Sequence, residues 1–323
     1  MSQYSRLPTH VLPCSYKLRL EPNFESFTFN GQVDILIEVT QQVDQLVINA
    51  KNIDIKNLQL KKSKESSPKL KKARSSVEEE EDNEDSEEIE IKSHELLEED
   101  EVLVMELSEA VTGFVMLSVS YTGVLDDSMR GFYRTSHSVD GEKKWGAACH
   151  FEATGARKCF PCFDQPEFRS CYDISVVRPE QGMEVISNMP VLTDCEDVVT
   201  FQTTPALPSY LVCVVVGWYS SVSGQSVSGT DVTIYTPHGQ SSQGDLALNV
   251  TLEALEYFKQ FFSVPYTLPK MDLVAVPDFY IGAMENWGLL TFREICLLYD
   301  VNCGSLKTKQ NIGIIVCHEI AHQ

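Results

Sequence analysis

Along the first half of the chain, apolar and polar residues alternate with a period of two. Tyr16-Lys17-Leu18-Arg19-Leu20, Val33-Asp34-Ile35-Leu36-Ile37-Glu38-Val39 and Ile53-Asp54-Ile55-Lys56-Asn57-Leu58-Gln59-Leu60 show it, with Leu46-Val47-Ile48 between the last two. That period predicts half-buried strands of an antiparallel sheet with one solvated face. Asn30-Gly31, between Phe29 and Val33, reads as a hairpin turn. Further strands are predicted over residues 102–105, 115–121, 172–177, 198–203 and 210–218. Residues 220–230 are rich in Ser and Gly, hold only Val222 and Val227 as apolar residues, and read as a linker or loop.

Beyond that point the pattern changes. Val232-Thr233-Ile234-Tyr235 reads as a strand. Residues 243–262 carry Leu246, Val250, Ala254, Tyr257, Phe258 and Phe261 at helical spacing. A buried strand is predicted over 271–276 and closed by Pro277. The loop Gly282-Ala283-Met284-Glu285-Asn286-Trp287-Gly288 leads into a strand over 289–292, and a last helix runs from about residue 306 into the histidines. The expected organisation is a mostly β N-terminal domain over 1–220, then the first, α+β lobe of a zincin-like domain over 221–323.

Charge interrupts the first domain. Residues 61–74 carry seven bases and one acid, and residues 78–101 carry fifteen acids against Lys92 alone. Blocks like these predict a disordered insertion over 61–101. The basic patch 69–74 has a nuclear-localisation character, although a solvated loop is the plainer reading. The formal charge of −21 excludes nucleic acid as a partner. No run of 18 apolar residues predicts a membrane span. Residues 1–8 contain no apolar core of a secretion signal, so the expected location is cytoplasmic, with the ten cysteines as reduced thiols. Cys159-Phe160-Pro161-Cys162 has redox-pair or half-zinc-site spacing, but no second such pair exists, and buried structural thiols are expected.

The chemistry sits at the far end, in His318-Glu319-Ile320-Ala321-His322. On a helix, residues four apart share a face, so both imidazoles can address one ion, for which Zn²⁺ is the natural choice. Glu319 beside them can serve as general base. Two helix histidines that merely face water are the plainer alternative.

Several stretches together resemble the M1 family of zinc aminopeptidases, within it the puromycin-sensitive aminopeptidase branch. They are Arg6-Leu7-Pro8, Gly131-Phe132-Tyr133-Arg134, Phe151-Glu152-Ala153-Thr154, Phe160-Pro161-Cys162-Phe163-Asp164, Ser187-Asn188-Met189, residues 282–287 and residues 318–323. The resemblance implies a saddle-like β-domain followed by part of a thermolysin-like catalytic domain. It implies peptide substrates with a free N-terminus, a zinc cofactor held by His318 and His322, and Glu319 as base. It also implies that Glu285 and Glu152 hold the substrate ammonium as charge-assisted acceptors, with Gly282, Ala283, Met284 and Asn286 along the substrate. His150 stands where the family usually has glutamine, at a position that contacts the first side-chain pocket. The family's third zinc ligand, a glutamate, and its oxyanion-stabilising tyrosine fall beyond Gln323. The chain is therefore read as an N-terminal portion, inactive by itself and holding zinc weakly. The alternatives are a non-catalytic short product acting as a binding module or decoy, and the family's epoxide-hydrolase branch.

Overall fold

In the computed structural model, residues 6–63, 87–195 and 197–323 are described. Three sheets carry the fold. The first has ten strands, running in order Val191–Cys195, Val198–Phe201, Arg169–Val177, Val11–Asn23, Thr28–Asn49, Val102–Val124, Ile53–Lys62 and Glu88–Ile89, with two short strands beside this path. Its pairings are antiparallel except Val11–Asn23 against Arg169–Val177. The second sheet is antiparallel, in the order Glu184–Ser187, Val214–Gly217, Glu142–His150 and Gly131–Val139. Alternation in the sequence thus becomes alternation in burial: Tyr16, Leu18 and Leu20 are buried, and Lys17 and Arg19 between them are exposed.

The structure differs from the sequence reading in four places. Strands predicted separately fuse into two long ribbons, Thr28–Asn49 and Val102–Val124, paired along most of their length. The hairpin turn falls at residues 24–27, where Phe27 takes φ 52°, and Asn30-Gly31 lies inside a strand. Gly31 is there for another reason: a Cβ on it would lie 2.2 Å from the Tyr121 ring. The disordered insertion predicted over 61–101 extends too far. Ile91–Leu97 is a strand on Val102–Val124, and Ile89 is buried beside Leu60. Its apolar residues alternate with acids, a pattern that charge counting alone hides. The basic patch 69–74 lies outside the described residues. Lastly, the predicted linker over 220–230 is mostly the strand Tyr219–Gln225, its turn closed by hydrogen bonds between Ser226 and Thr230.

That strand opens the third sheet, whose order is Tyr219–Gln225, Asp231–Pro237, Lys270–Val276, Leu289–Arg293 and Ala283–Met284. The three inner strands are parallel, and the first crossover carries helix α1 (Asp245–Phe262). The single turn α2 (Glu294–Leu297) and then α3 (Leu306–Ala321) follow. Lys270–Val276 is buried throughout, as expected of a strand covered on both faces. Met271, Leu273 and Ala275 pack under the helices, while Val274 and Val276 join the core of the first two sheets. The face of α1 that is buried is Ala247, Leu248, Thr251, Ala254 and Leu255. Tyr257 and Phe261, expected inside, are exposed and stack on one another at 6.0 Å. Ser263 ends the helix in the left-handed conformation.

Candidate active site

Helix α3 begins at Ser305, whose Oγ accepts from the backbone of Thr308 at 3.0 Å, an N-cap. Ile312, Val316 and Ile320 turn inward at helical spacing, and Glu319 shares that buried side. His318 and His322 fall on the exposed flank. Their Nε2 atoms are 3.3 Å apart, with the rings at 77°. Two nitrogens bound to one tetrahedral zinc would lie about 3.3 Å apart. The imidazole pair therefore fits the metal that its motif implies.

The loop before Leu289–Arg293 brings a carboxylate to the same place. Side-chain ligand atoms of Glu285, Glu319 and His322 lie within 4.8 Å of one another. Glu319 is only 5% exposed, and its Oε2 has no partner among the described residues. Burial, with help from the Glu285 and Glu152 charges, raises its carboxyl to about 7. Glu152 follows the strand Glu142–His150 and is exposed. It lines a cavity of about 560 Å³ with Tyr210, Arg157, Asp164 and Glu167. Burial raises the Tyr210 hydroxyl, and the Glu285 and Glu152 charges add to it, so all three side chains share one electrostatic neighbourhood.

The remaining predicted residues divide. Gly282 is exposed just before the outermost strand of the third sheet, and Ala283, half-buried, begins that strand. Met284 and Asn286 turn into the fold. Met284 is 1% exposed, and Asn286 donates to the Leu289 carbonyl and the Thr291 hydroxyl. Their side chains brace the loop from within. His150 is buried edge-on to Phe279, and its Nδ1 has no partner among the described residues. Burial lowers its pKa, the neighbouring Arg130 lowers it further, and Glu285 opposes both.

Sequence reasoning gave no role to three residues that hold this loop. Asn188 donates to the Trp287 carbonyl, Lys270 to the Gly288 carbonyl, and Gln323 to the Glu285 carbonyl. The available signal was a lysine opening an apolar strand, which is costly unless it is paired. Here it pairs with the buried Asp272 at 2.7 Å. The motif of Cys159 and Cys162 is buried, and burial holds both thiols well above the usual range. Nearby Asp164 binds Arg157 at 2.9 Å and Ser209 at 2.6 Å.

Comparison with known proteins gives two family matches. Residues 12–211 match the peptidase M1 N-terminal domain, and residues 246–323 match the peptidase family M1 domain. Aminopeptidase M1 of Arabidopsis thaliana is 37% identical over 98% of this chain and 35% of its own length. Puromycin-sensitive aminopeptidase of Caenorhabditis elegans is 33% identical over 99% of this chain and 32% of its own. Glutamyl aminopeptidase of Sus scrofa is 35% identical over 98% of this chain and 33% of its own. The chain thus spans about a third of the length of these relatives.

Proposed function

We infer the function from membership: this chain belongs to peptidase family M1, and its relatives carry the names of aminopeptidases. The reading is a zinc aminopeptidase that releases the first residue from peptides with a free N-terminus. One observation carries it. A half-buried glutamate in a loop, Glu285, meets Glu319 and His322 within 4.8 Å. An amine bound at Glu285 therefore sets its first peptide bond beside the general base and the metal-binding imidazoles.

His318 and His322 are the residues that would hold zinc. When bound, such an ion polarises a carbonyl and lowers the pKa of water to about 7. The chain's own groups do the rest. Glu285 and Glu152 attract the α-ammonium, and an internal peptide nitrogen offers them no charge, which limits cutting to the chain end. Ala283–Met284 offers an open strand edge along which a peptide backbone can lie. Glu319 takes a proton at its free Oε2 from the attacking water and hands it to the leaving amine. A carboxylate held within reach of both the attacking water and the leaving nitrogen can serve both transfers. His150 and Phe279 are assigned to the wall that meets the first side chain.

Catalytic zinc takes three protein ligands, and this site offers two imidazoles once Glu319 and Glu285 have their own tasks. Turnover is therefore proposed for a polypeptide that supplies a third ligand, and the 323 residues alone are expected to bind amines without cleaving. A cytoplasmic location is part of the proposal. The ten cysteines are unpaired, and among the described residues no helix is long and apolar enough to cross a membrane. The test is hydrolysis of an aminoacyl coumarin amide and of its N-acetylated form, with zinc, by such a longer polypeptide. Release from the free-amine substrate alone, lost in Glu319→Gln, is expected. Equal cleavage of both substrates would overturn the reading.

A further inference from the structure

The loop that presents Glu285 is held in an unusual way. Its carbonyls from 285 to 288 are all engaged, and mostly by residues remote in sequence. The Glu285 carbonyl accepts from Gln323 Nε2 at 3.0 Å, and the Asn286 carbonyl from the Leu289 backbone at 3.1 Å. The Trp287 carbonyl accepts from Asn188 Nδ2 at 2.8 Å. The Gly288 carbonyl accepts from Lys270 Nζ at 2.8 Å and from the Asp272 backbone at 3.1 Å. Gly288 N–H in turn donates to Gln323 Oε1 at 3.2 Å. Gly288 has φ +76°, and a Cβ there would lie 2.2 Å from the Asn188 carbonyl, so only glycine lets the loop close on its anchor. The Glu285 carboxylate, by contrast, makes no hydrogen bond or ion pair among the described residues. A fixed backbone below a free carboxylate is the arrangement of a receptor.

The anchors come from separate elements. Asn188 follows the second-sheet strand Glu184–Ser187 and also binds the Leu211 carbonyl and the Cys213 backbone, both at 2.8 Å. Lys270 begins the buried strand and also donates to the Ser187 carbonyl at 2.6 Å. Gln323 directly follows His322. One side chain thus ties the Glu285 loop to the helix that bears both histidines and Glu319.

We infer that Gln323, with Asn188 and Lys270 behind it, is a positioning residue that sets where Glu285 stands relative to Glu319 and His322, and so fixes which bond of a bound peptide meets the base. This rests on the reading of Glu285 as the amine acceptor. Gln323 acts through the loop and touches no reacting atom. A purely structural role would hold the loop's carbonyls without affecting recognition of charge. The two roles separate in an experiment.

The test uses the metal-free 323-residue chain and two ligands, leucinol and N-acetyl-leucinol, which differ in the ammonium. Binding is followed through the fluorine resonance of Trp287 in 5-fluorotryptophan-labelled protein, and loop opening through deuterium exchange of residues 285–288. Wild type is expected to prefer leucinol. Gln323→Met removes both loop bonds from a half-buried site, and it is expected to cut that preference about tenfold. Exchange over 285–288 should quicken while the unfolding midpoint stays near wild type. Gln323→Glu keeps an acceptor for Gly288 and should fall between, and it also serves if the Met variant folds poorly. Wild-type preference in both Gln323 variants would overturn the inference. If Glu285→Gln loses the preference in that same experiment, the reading of Glu285 survives. If Glu285→Gln keeps the preference, or the unmodified chain shows no dependence on the ammonium, both fall together.

Discussion

The first two sheets and the helical region treat apolar surface differently. Among the described residues up to 218, the exposed large apolar side chains are Val124, Val191 and Leu192. The shorter region after 218 exposes many more, among them Tyr257, Phe261, Val301 at 79% and Leu306 at 81%. The first region buries its own large aromatics, with Tyr16 stacked on Tyr172 at 4.6 Å and edge-on to Phe160 at 6.2 Å. Its buried charges are paired, as at Arg157 and Asp164. The second region holds the Glu285 loop and the histidine pair, and at that loop order is borrowed. The Asp278 carbonyl accepts from the Tyr133 hydroxyl at 2.8 Å, its carboxylate takes the Ser136 N–H at 3.0 Å, and Asn188 holds Trp287. The contrast gives the first two sheets a task beyond their own stability: they are the frame on which the loop bearing Glu285 is stretched.

The sharpest way to break this contrast is to empty the first core. Phe160 is fully buried in the aromatic cluster, and Phe160→Ala is expected to cost about 3–5 kcal/mol by the loss of apolar contact and the cavity left behind. Phe261 is 66% exposed, and Phe261→Ala is expected to stay within about 0.5 kcal/mol. Urea titration of both variants decides it. Equal losses would mean that the helical region is as well packed as the sheets.

A pH titration probes the seam between the regions. His137 is 4% exposed and packs edge-on to Tyr219, the first residue of the third sheet, at 5.0 Å. Gly146 and Gly217 leave the room it fills, since a Cβ on either would come within 2.6 Å of the ring. Burial lowers its pKa from 6.5 to about 4. Below pH 6.5 the unfolded chain therefore binds a proton that the folded chain refuses. The contribution is intact above 6.5 and is lost as pH falls toward 4, to the extent of about 3 kcal/mol. His137→Gln is expected to flatten the stability slope between those pH values. A slope identical to wild type would show that His137 is not the group responsible.

The zinc site proposed above draws on the second region, through His318 and His322. Replacing His322 by alanine is expected to weaken zinc retention on the order of a hundredfold, the upper end of what even an outer-sphere loss costs. The thermal midpoint should scarcely change, because His322 is exposed and its one side-chain hydrogen bond among the described residues is to His318. Equilibrium dialysis with elemental analysis reads this out. Zinc held equally by the variant would place the ion elsewhere.

The sequence carried different parts of this picture with different clarity. Period-two strands and the histidine pair were plain, because backbone geometry alone converts spacing into a shared face. The parallel order of the third sheet was not, because parallel pairing depends on the crossover through α1 and not on either strand's own pattern. Acidic Glu88 and Glu90 concealed Ile89 and Ile91, which pair in a sheet all the same. The carboxylates of the site were legible through motif context. Asn188 and Gln323 were not, because what they bind is backbone, and backbone carbonyls look alike in any sequence.

The smallest expected effect tests whether stability within α3 and function at its far end are separable. Ser305 caps the helix through the Thr308 backbone, and a cap of this kind contributes about 1 kcal/mol. His318 lies thirteen residues further on, about 20 Å along the axis at 1.5 Å per residue. Between them Ile312 and Val316 are pinned in the second core, so fraying of the first turn has to stop before it reaches the histidines. Ser305→Ala should therefore lower the unfolding free energy by about 1 kcal/mol and leave zinc retention and the leucinol preference at their wild-type values. A fall in either binding measurement would mean that α3 moves as one rigid rod from cap to histidines. The core beneath it would then not be the barrier that insulates the site.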